Sequence, residues 1–155
     1  MTIRKANLRD LNVLTSMWKD FIDFHADIDS FFRVNLSAPA MYKTYLKKKI
    51  LARKARVFIS EENGRITGWV MCNIQKNPPI FRIIEYGYIE QLCVIGEKRR
   101  KGTGALLLEE AYKWFREKGI KRIELDYLPG NPIGSGFWKK KGFKVFKNRA
   151  YLSLK

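Results

Sequence analysis

The sequence predicts a mixed α/β domain in which one central, mostly antiparallel sheet carries helices on both faces. The chain has 155 residues, which is about one domain's worth. Asn63-Gly64 separates two β-rich runs, as is typical of a tight hairpin between antiparallel strands. Residues 83–128 read as strand, helix and strand, and a crossover of that length joins two parallel strands.

The first elements follow from capping residues and hydrophobic periodicity. Thr2–Lys5 predicts a short strand, and Asn7 with Asp10 predicts the capped start of a helix. That helix runs to about residue 25, with apolar residues at helical spacing at Leu11, Leu14, Trp18, Phe21 and Ile22. A second helix opens at Ser37, and one of its faces carries Tyr42, Tyr45, Leu46 and Ile50.

The later elements alternate strands and helices. The hairpin strands cover residues 56–60 and 66–74, and the apolar run 83–94 predicts a further strand. A helix over residues 103–118 ends at Gly119, which suits a C-terminal glycine cap. The remaining expectations are a strand over 122–128, a helix over 133–141, and closing strands over 143–146 and 150–154.

The positive charge of the chain is large and localised. Lys and Arg number 31 against 15 Asp and Glu, which gives a net charge of +16. Two acid-free segments, residues 43–56 and 139–155, carry seven bases each. This surplus favours a polyanionic partner such as nucleic acid, anionic lipid or a phosphorylated small molecule. The alternative is a solvated, lysine-rich surface.

Composition excludes several other classes of protein. Hydrophobic residues make up 46% and aromatic residues 14%, so the chain is not expected to be disordered. Cys72 and Cys93 are too few for a disulfide framework, which favours a reducing cytoplasm. No apolar run approaches the ~20 residues of a membrane span. A single histidine, His25, among aspartates lacks a settled ligand pattern, so no metal is expected.

A glycine-rich basic turn precedes the helix that starts at residue 103. It reads Arg99-Arg100-Lys101-Gly102-Thr103-Gly104 and follows a predicted strand. The free N–H groups of a helix N-terminus, glycines that allow close approach and three cations together predict a diphosphate cradle. Neither a Gly-Lys-Ser/Thr sequence nor a third glycine at position 107 is present, which excludes the Walker A and dinucleotide patterns.

These residues resemble the GNAT acyltransferases, which move an acyl group from coenzyme A to an amine. The family signature Arg/Gln-x-x-Gly-x-Gly/Ala matches Arg99, Gly102 and Gly104. A second motif combines an asparagine, a small residue three later, an apolar-aromatic pair and Gly-Phe, and it matches Asn131, Gly134, Phe137-Trp138 and Gly142-Phe143. The resemblance spans essentially the whole chain and implies a single GNAT-like N-acetyltransferase domain over residues 1–155.

The resemblance implies that acetyl-CoA lies in a V between the strands at 88–94 and 122–128. The backbone of Leu92 to Val94 would pair with the pantetheine arm, and a free N–H near Cys93 or Val94 would stabilise the oxyanion. The amides of residues 100–104 would hold the pyrophosphate. The full set of implied acetyl-CoA contacts is Leu92, Cys93, Val94, Arg99, Arg100, Lys101, Gly102, Thr103, Gly104, Asn131 and Phe137.

Catalysis requires a group that deprotonates the attacking amine. Glu90 is the preferred general base, because it lies on the strand leading to the acyl site and shares a face with Leu92 and Val94 unless a bulge intervenes. The alternative is that Glu90 forms an ion pair with a neighbouring base. Glu85 is a weaker candidate, and Tyr88 is a polar partner for Glu90.

The family often has a tyrosine that protonates the leaving thiolate, and here that position holds Trp138. An indole N–H donates a hydrogen bond but does not release its proton usefully. Three alternatives follow: the thiolate leaves unassisted, Tyr127 or Tyr151 substitutes, or the protein binds acyl-CoA and catalyses poorly.

The acceptor side carries Asp20, Asp23, Asp27 and Asp29 near the end of the first helix. One hypothesis is that Asp23 and Asp27 attract a cationic amine, and the alternative is a solvated acidic helix end. The preferred function is an acetyl-CoA-dependent N-acetyltransferase acting on a primary amine of a small molecule or protein. The alternatives are a basic nucleic-acid- or ribosome-binding module and a non-catalytic acyl-CoA-binding protein. A homodimer is common in the family.

Overall fold

The computed structural model describes residues 1–154 and contains one five-stranded mixed sheet. The strands lie in chain order and are β1 (Thr2–Lys5), β2 (Ala55–Glu62), β3 (Arg65–Lys76), β4 (Glu85–Val94) and β5 (Ile123–Leu125). The first four strands are antiparallel, and β5 runs parallel to β4. The helices are α1 (Leu11–Ile28), α2 (Ala38–Leu51), α3 (Thr103–Glu117) and α4 (Pro132–Lys140). The predicted fold class is therefore confirmed.

The sheet separates two hydrophobic clusters. Trp69 and Met71 of β3 pack in one cluster with α1 and α2, whereas Val70 and Cys72 pack in the other with α3. Successive side chains of a strand point to opposite faces, so β3 supplies both clusters in alternation. No helix in the described part of the chain is long and apolar enough to cross a membrane.

The hairpin between β2 and β3 forms where Asn63-Gly64 predicts it. Both residues have positive φ, 51° and 73°, as a type I′ turn requires. This turn sets the register that pairs Glu62 with Arg65.

The C-terminal strands differ from the prediction. The strand expected over 122–128 is only Ile123–Leu125, because β5 pairs with β4 over three residues before the two strands separate. The closing strands expected over 143–146 and 150–154 are wrong, since neither segment pairs with an edge of the sheet. Most of their apolar side chains, including Val145 and Leu152, are exposed, whereas Phe143 packs against the cluster on the α3 side of the sheet. An apolar, β-prone sequence gives strand propensity, but a strand forms only with a partner. Lys155 lies outside the described residues.

The start of the chain is tied to the sheet by a buried carboxylate. Asn7 and Asp10 form the predicted capping box, in which the Asp10 carboxylate accepts the N–H of Asn7 at 2.8 Å. The Arg4 guanidinium donates to both Asp10 oxygens at 2.9 Å and to Glu61 at 2.8 Å. The hydrogen bonds from Arg4 hold the pKa of Asp10 below its usual range, despite the opposing effect of burial.

We expect Asp10→Asn to lower the free energy of unfolding at pH 7 by about 2 kcal/mol, because a charged hydrogen bond is lost. A carboxyl group whose pKa is lowered in the folded state stabilises that state at pH values above its unfolded pKa of about 3.9. This stabilisation is lost as the pH falls through the folded pKa. Urea titrations of both proteins from neutral pH to about pH 2.5 should therefore converge in acid. The control is Asp23→Asn, which removes an exposed pair with Lys19 and should cost less than about 1 kcal/mol.

Candidate functional site

β4 and the edge strand β5 separate after three paired residues and leave one edge of β4 open. The two strands pair only where Gly87 to Ile89 face β5. Beyond Ile89, β4 continues to Val94 with β3 on one side and no strand on the other. The described residues therefore form the V predicted between the two strands.

The open edge exposes the backbone of alternate residues of β4. Ile95 donates its N–H to Thr67 of β3 at 3.0 Å, so by antiparallel alternation Cys93 also directs its backbone toward β3. The N–H groups of Leu92 and Val94 then point into the V, and Arg99 Nε reaches the outward carbonyl of Val94 at 2.9 Å. Of the backbone N–H groups expected to serve the pantetheine arm and the oxyanion, those of Leu92 and Val94 therefore face the V, whereas that of Cys93 faces β3.

The glycine-rich turn at the end of β4 has the geometry of an anion cradle. Gly102 caps α3 with φ 87°, and Arg100 has φ 60°, so the turn bends through left-handed conformations. Within residues 1–154, the backbone amides of 100–105 donate no hydrogen bond to the protein. These amides lie at the positive end of the α3 dipole, and the neighbouring Arg100 and Lys101 side chains are exposed. A phosphate group fits both the donors and the charge.

The second motif packs against this cradle. A Cβ on Gly104 would lie 3.5 Å from the Phe137 ring, so α4 contacts the first turn of α3. The Asn131 side chain caps α4 by accepting the N–H of Gly134 at 3.0 Å. A Cβ on Gly134 would approach Asn131 Nδ2 to 2.8 Å, which explains why a small residue follows the asparagine by three positions. One acceptor position of Asn131 Oδ1 is therefore taken by the helix cap, and its Nδ2 group donates no hydrogen bond within residues 1–154.

A polar cluster surrounds Glu90 on the α2 side of the sheet. One carboxylate oxygen accepts the hydroxyl of Tyr45, and the other accepts Lys49 Nζ and Asn73 Nδ2. Glu90 thus forms an ion pair with Lys49 and also lies beside the open edge of β4. Tyr45 and Lys49 of α2 and Asn73 of β3 are distant from Glu90 in the chain, and no local sequence pattern linked them to it.

A β-bulge determines the direction of Glu90. Ile89 pairs with Cys72 and Gln91 pairs with Met71, so Glu90 is an extra residue on β4. As a result Glu90 and Gln91 both face α2, where Gln91 Oε1 accepts the Tyr42 hydroxyl at 2.6 Å. Leu92 and Val94 instead pack with the α3-side cluster. The expectation that Glu90 shares their face is wrong, because the bulge intervenes.

Tyr88 lies beside this cluster and donates to Asp126 at 3.0 Å. Burial first, and then the hydrogen bond to Asp126, raises the pKa of Tyr88. Burial and the hydrogen bond to Glu90 likewise raise the pKa of Tyr45. Both hydroxyls therefore remain protonated near neutral pH and act as donors to carboxylates.

A cleft of about 160 Å³ lies between α1 and the end of β4. α1 lines it with Met17, Asp20, Phe21 and Phe24, and the chain after β4 closes it with Ile95, Gly96 and Arg99. Cys93 also lines it, and burial raises the pKa of this thiol to about 12, so it is no thiolate nucleophile.

Among the helix acids, the structure places Asp20 in this cleft. Asp20 lies on the same face of α1 as Met17, Phe21 and Phe24, and this helical spacing can be read from the sequence. Asp23 pairs with Lys19 at 2.6 Å, and Asp29 accepts the N–H of Phe31 at 2.9 Å. The paired Asp23 thus gives little support to the predicted cationic-amine site.

Trp138 is a core residue. Its ring lies 5.0 Å from Phe137 and 5.4 Å from Phe143, and the side chain packs in the α3-side cluster. Of the two tyrosines considered in its place, Tyr127 packs against the same cluster, whereas Tyr151 is exposed. Glu85 lies at the far end of β4 and pairs with Lys54 at 2.6 Å.

Sequence comparison identifies relatives across most of the chain. The model of the acetyltransferase (GNAT) family matches residues 18–143. An N-alpha-acetyltransferase of Sulfurisphaera tokodaii is 27% identical over 130 residues, which cover 78% of this chain and 77% of that protein.

Solved structures share the fold. A mutant of the BH1408 protein from Bacillus halodurans superposes with a TM-score of 0.89 at 23% identity, covering 99% of each chain. A predicted acetyltransferase from Clostridium acetobutylicum, solved with acetyl-CoA, has a TM-score of 0.75 at 23% identity. That match covers 98% of this chain and 95% of the other.

Proposed function

This chain belongs to the acetyltransferase (GNAT) family, and we propose that it transfers the acetyl group of acetyl-CoA directly to a primary amine of a small molecule or protein. The observation that carries the proposal is the open edge of β4. This edge connects the unpaired amides of the α3 N-terminus to the Glu90 cluster through the outward backbone of Leu92 and Val94. Binding of acetyl-CoA and transfer of the amine proton would thus take place at separate, adjoining sites.

The cradle and the open edge suit the two parts of acetyl-CoA. The amides of residues 100–104, with Arg100 and Lys101, would bind the pyrophosphate. The N–H groups of Leu92 and Val94 would bind the pantetheine arm as an added strand does. One of them would also stabilise the oxyanion that forms when the amine attacks the thioester.

Glu90 would accept the proton that the amine must lose before it attacks, directly or through a water. An ionised carboxylate offers about four acceptor sites, and Tyr45, Lys49 and Asn73 occupy three of them. One site is left for the amine or water. The three donors orient the carboxylate, while Tyr88, two residues earlier on β4, donates to Asp126.

The leaving thiolate would depart with little help. A thiol pKa near 8.5 makes it a fair leaving group, and the buried Trp138 has no proton to give. Tyr127, the less exposed of the two alternative tyrosines, is the residue that would assist. Neither the unassisted departure of the thiolate nor assistance by Tyr127 depends on the exposed Tyr151.

Trp138→Phe separates a structural from a catalytic role. We expect kcat to stay within about threefold of the wild-type value, because the indole cannot act as a proton donor. The free energy of unfolding should fall by about 1–3 kcal/mol, because the smaller ring leaves a gap in the core. Thiol-release kinetics and urea titration measure the two effects. A hundredfold loss of kcat in a folded, acetyl-CoA-binding variant would contradict the structural role.

The proposed function is tested by calorimetric titration with acetyl-CoA, followed by thiol release in the presence of a panel of amines. We expect binding, and release that depends on the amine. Binding without release on any amine would favour a non-catalytic acyl-CoA-binding protein. No binding, together with salt-sensitive binding of RNA, would favour the nucleic-acid module.

Location and assembly complete the proposal. The free Cys72 and Cys93 suit a reducing compartment such as the cytoplasm. The homodimer allowed by the family resemblance stays a prediction, which light scattering of the purified protein would check.

A further inference from the structure

The two acid-free basic segments flank the Glu90 cluster. The first segment includes most of α2, whose Tyr45 and Lys49 contact Glu90 directly. The second segment lies beside β5, where the Arg122 guanidinium stacks on the Phe146 ring at 4.5 Å. Further along this segment, the charge of Arg149 opposes the rise in the pKa of Tyr88. Two segments far apart in sequence therefore contribute cations near the Tyr88–Glu90 end of the open edge, which we call the mouth of the site.

Most of these cations have no acidic partner. Three carboxylates of β4 and β5 are already paired, Glu90 with Lys49, Glu85 with Lys54 and Glu124 with Arg122, and Asp126 accepts the Tyr88 hydroxyl. In the described part of the chain, no ion pair includes Lys48 of α2 or Arg149 of the C-terminal segment, and we call these two exposed bases the cationic rim. Their positive potential is therefore available to a ligand.

The rim lies away from the phosphate cradle. Lys48 follows Tyr45, which contacts Glu90, by three positions on α2, and the charge of Arg149 acts on Tyr88, whereas the cradle begins beyond Val94 at the other end of β4. Four residues of strand separate Glu90 from Val94, which is roughly 13 Å. The cradle already supplies cations and amides for the coenzyme phosphates. The rim thus suits the acceptor rather than the donor.

We propose that the acceptor amine belongs to an acidic peptide, which the cationic rim binds by its carboxylates. This inference rests on the proposed N-acetyltransferase function. The ammonium group would enter toward Glu90, while the acidic remainder stays on α2 and the C-terminal segment. Two carboxylates, those of Glu90 and Asp126, would face the positive amine, and Asp126 forms no ion pair within residues 1–154. A polycation would be repelled by the rim before it reached them.

The test uses three peptides with the same free N-terminal residue and acidic, neutral or basic side chains after it. We expect the kcat/KM of the wild-type protein to be about tenfold higher for the acidic than for the basic peptide, through electrostatic steering. This preference should shrink as ionic strength rises, because salt screens exposed charges. Equal rates for all three peptides, or a preference for the basic one, would overturn the inference and leave the proposed function intact. No acetylation of any amine would overturn both.

Variants locate the preference on the rim. Lys48 follows Tyr45 by one helical turn, so Lys48→Glu with Arg149→Glu reverses charge on both sides of the mouth. We expect this double variant to lose the preference for the acidic peptide and to keep its KM for acetyl-CoA. Lys118→Glu with Lys121→Glu is the matched control, because these bases are exposed at the end of α3, on the opposite face of the sheet. An equal loss of the peptide preference in the control variant would overturn the assignment. A double variant in which only the KM for acetyl-CoA changed would also overturn it. So would inhibition of acidic-peptide acetylation by short RNA but not by a non-substrate acidic peptide.

Discussion

Glu90→Gln should lower kcat by about 10²–10⁴-fold, the usual contribution of a positioned general base. The amide keeps the size of the carboxylate and still accepts the Tyr45 hydroxyl, but it cannot take a proton from the amine. Affinity for acetyl-CoA should stay the same, because the cradle lies at the other end of β4. Single-turnover thiol release and calorimetric titration measure the two quantities.

Stability must be followed in the same variant. Lys49 and Glu90 are both largely buried, so the loss of one charge leaves the other without its partner. A chemical denaturation curve shows whether enough folded protein remains at the assay temperature. The matched control is Glu85→Gln on the same strand, whose exposed partner is Lys54. Unchanged kcat in folded Glu90→Gln, or an equal loss in Glu85→Gln, would remove Glu90 as the base.

Gly104→Glu should weaken acetyl-CoA binding by about 100-fold or more, because like charges placed together cost several kcal/mol and each 1.4 kcal/mol is tenfold. A Cβ at this position meets the Phe137 ring at 3.5 Å and a Val94 methyl at 3.7 Å, which are ordinary contacts. The carboxylate then lies in the cradle where the pyrophosphate would bind. An acid in the first turn of α3 favours the helix, so the fold should persist.

Gly136→Glu is the control for Gly104→Glu. It makes the same change of charge on α4, where a Cβ would have no neighbour within 4 Å. Its acetyl-CoA affinity should match that of the wild-type protein. A second variant, Gly104→Ala, fills the space without adding charge and should bind more tightly than the glutamate variant. If Gly104→Glu bound acetyl-CoA with wild-type affinity, the cradle would be misplaced.

Local sequence signals predicted the parts of this protein that depend on neighbouring residues. Asn63-Gly64 specifies its turn through the positive φ of both residues, and Asn7 with Asp10 closes its own capping box. The turn before α3 is equally local, because Gly102 and the amides that follow it belong to one stretch of backbone. The sequence by itself therefore determined the order of the elements up to α4, the fold class and the position of the glycine-rich turn.

The tertiary structure alone decided how distant segments meet. The bulge at Glu90 depends on the register between β3 and β4, and it turns the side chain toward α2. Lys49 and Asn73 reach Glu90 only because separate elements cross the same face of the sheet. The predicted closing strands do not form for the same reason, because strand pairing needs an edge and β5 offers one over only three residues. Propensity and capping act within a few residues, whereas register, burial and ion pairs depend on contacts that close long loops.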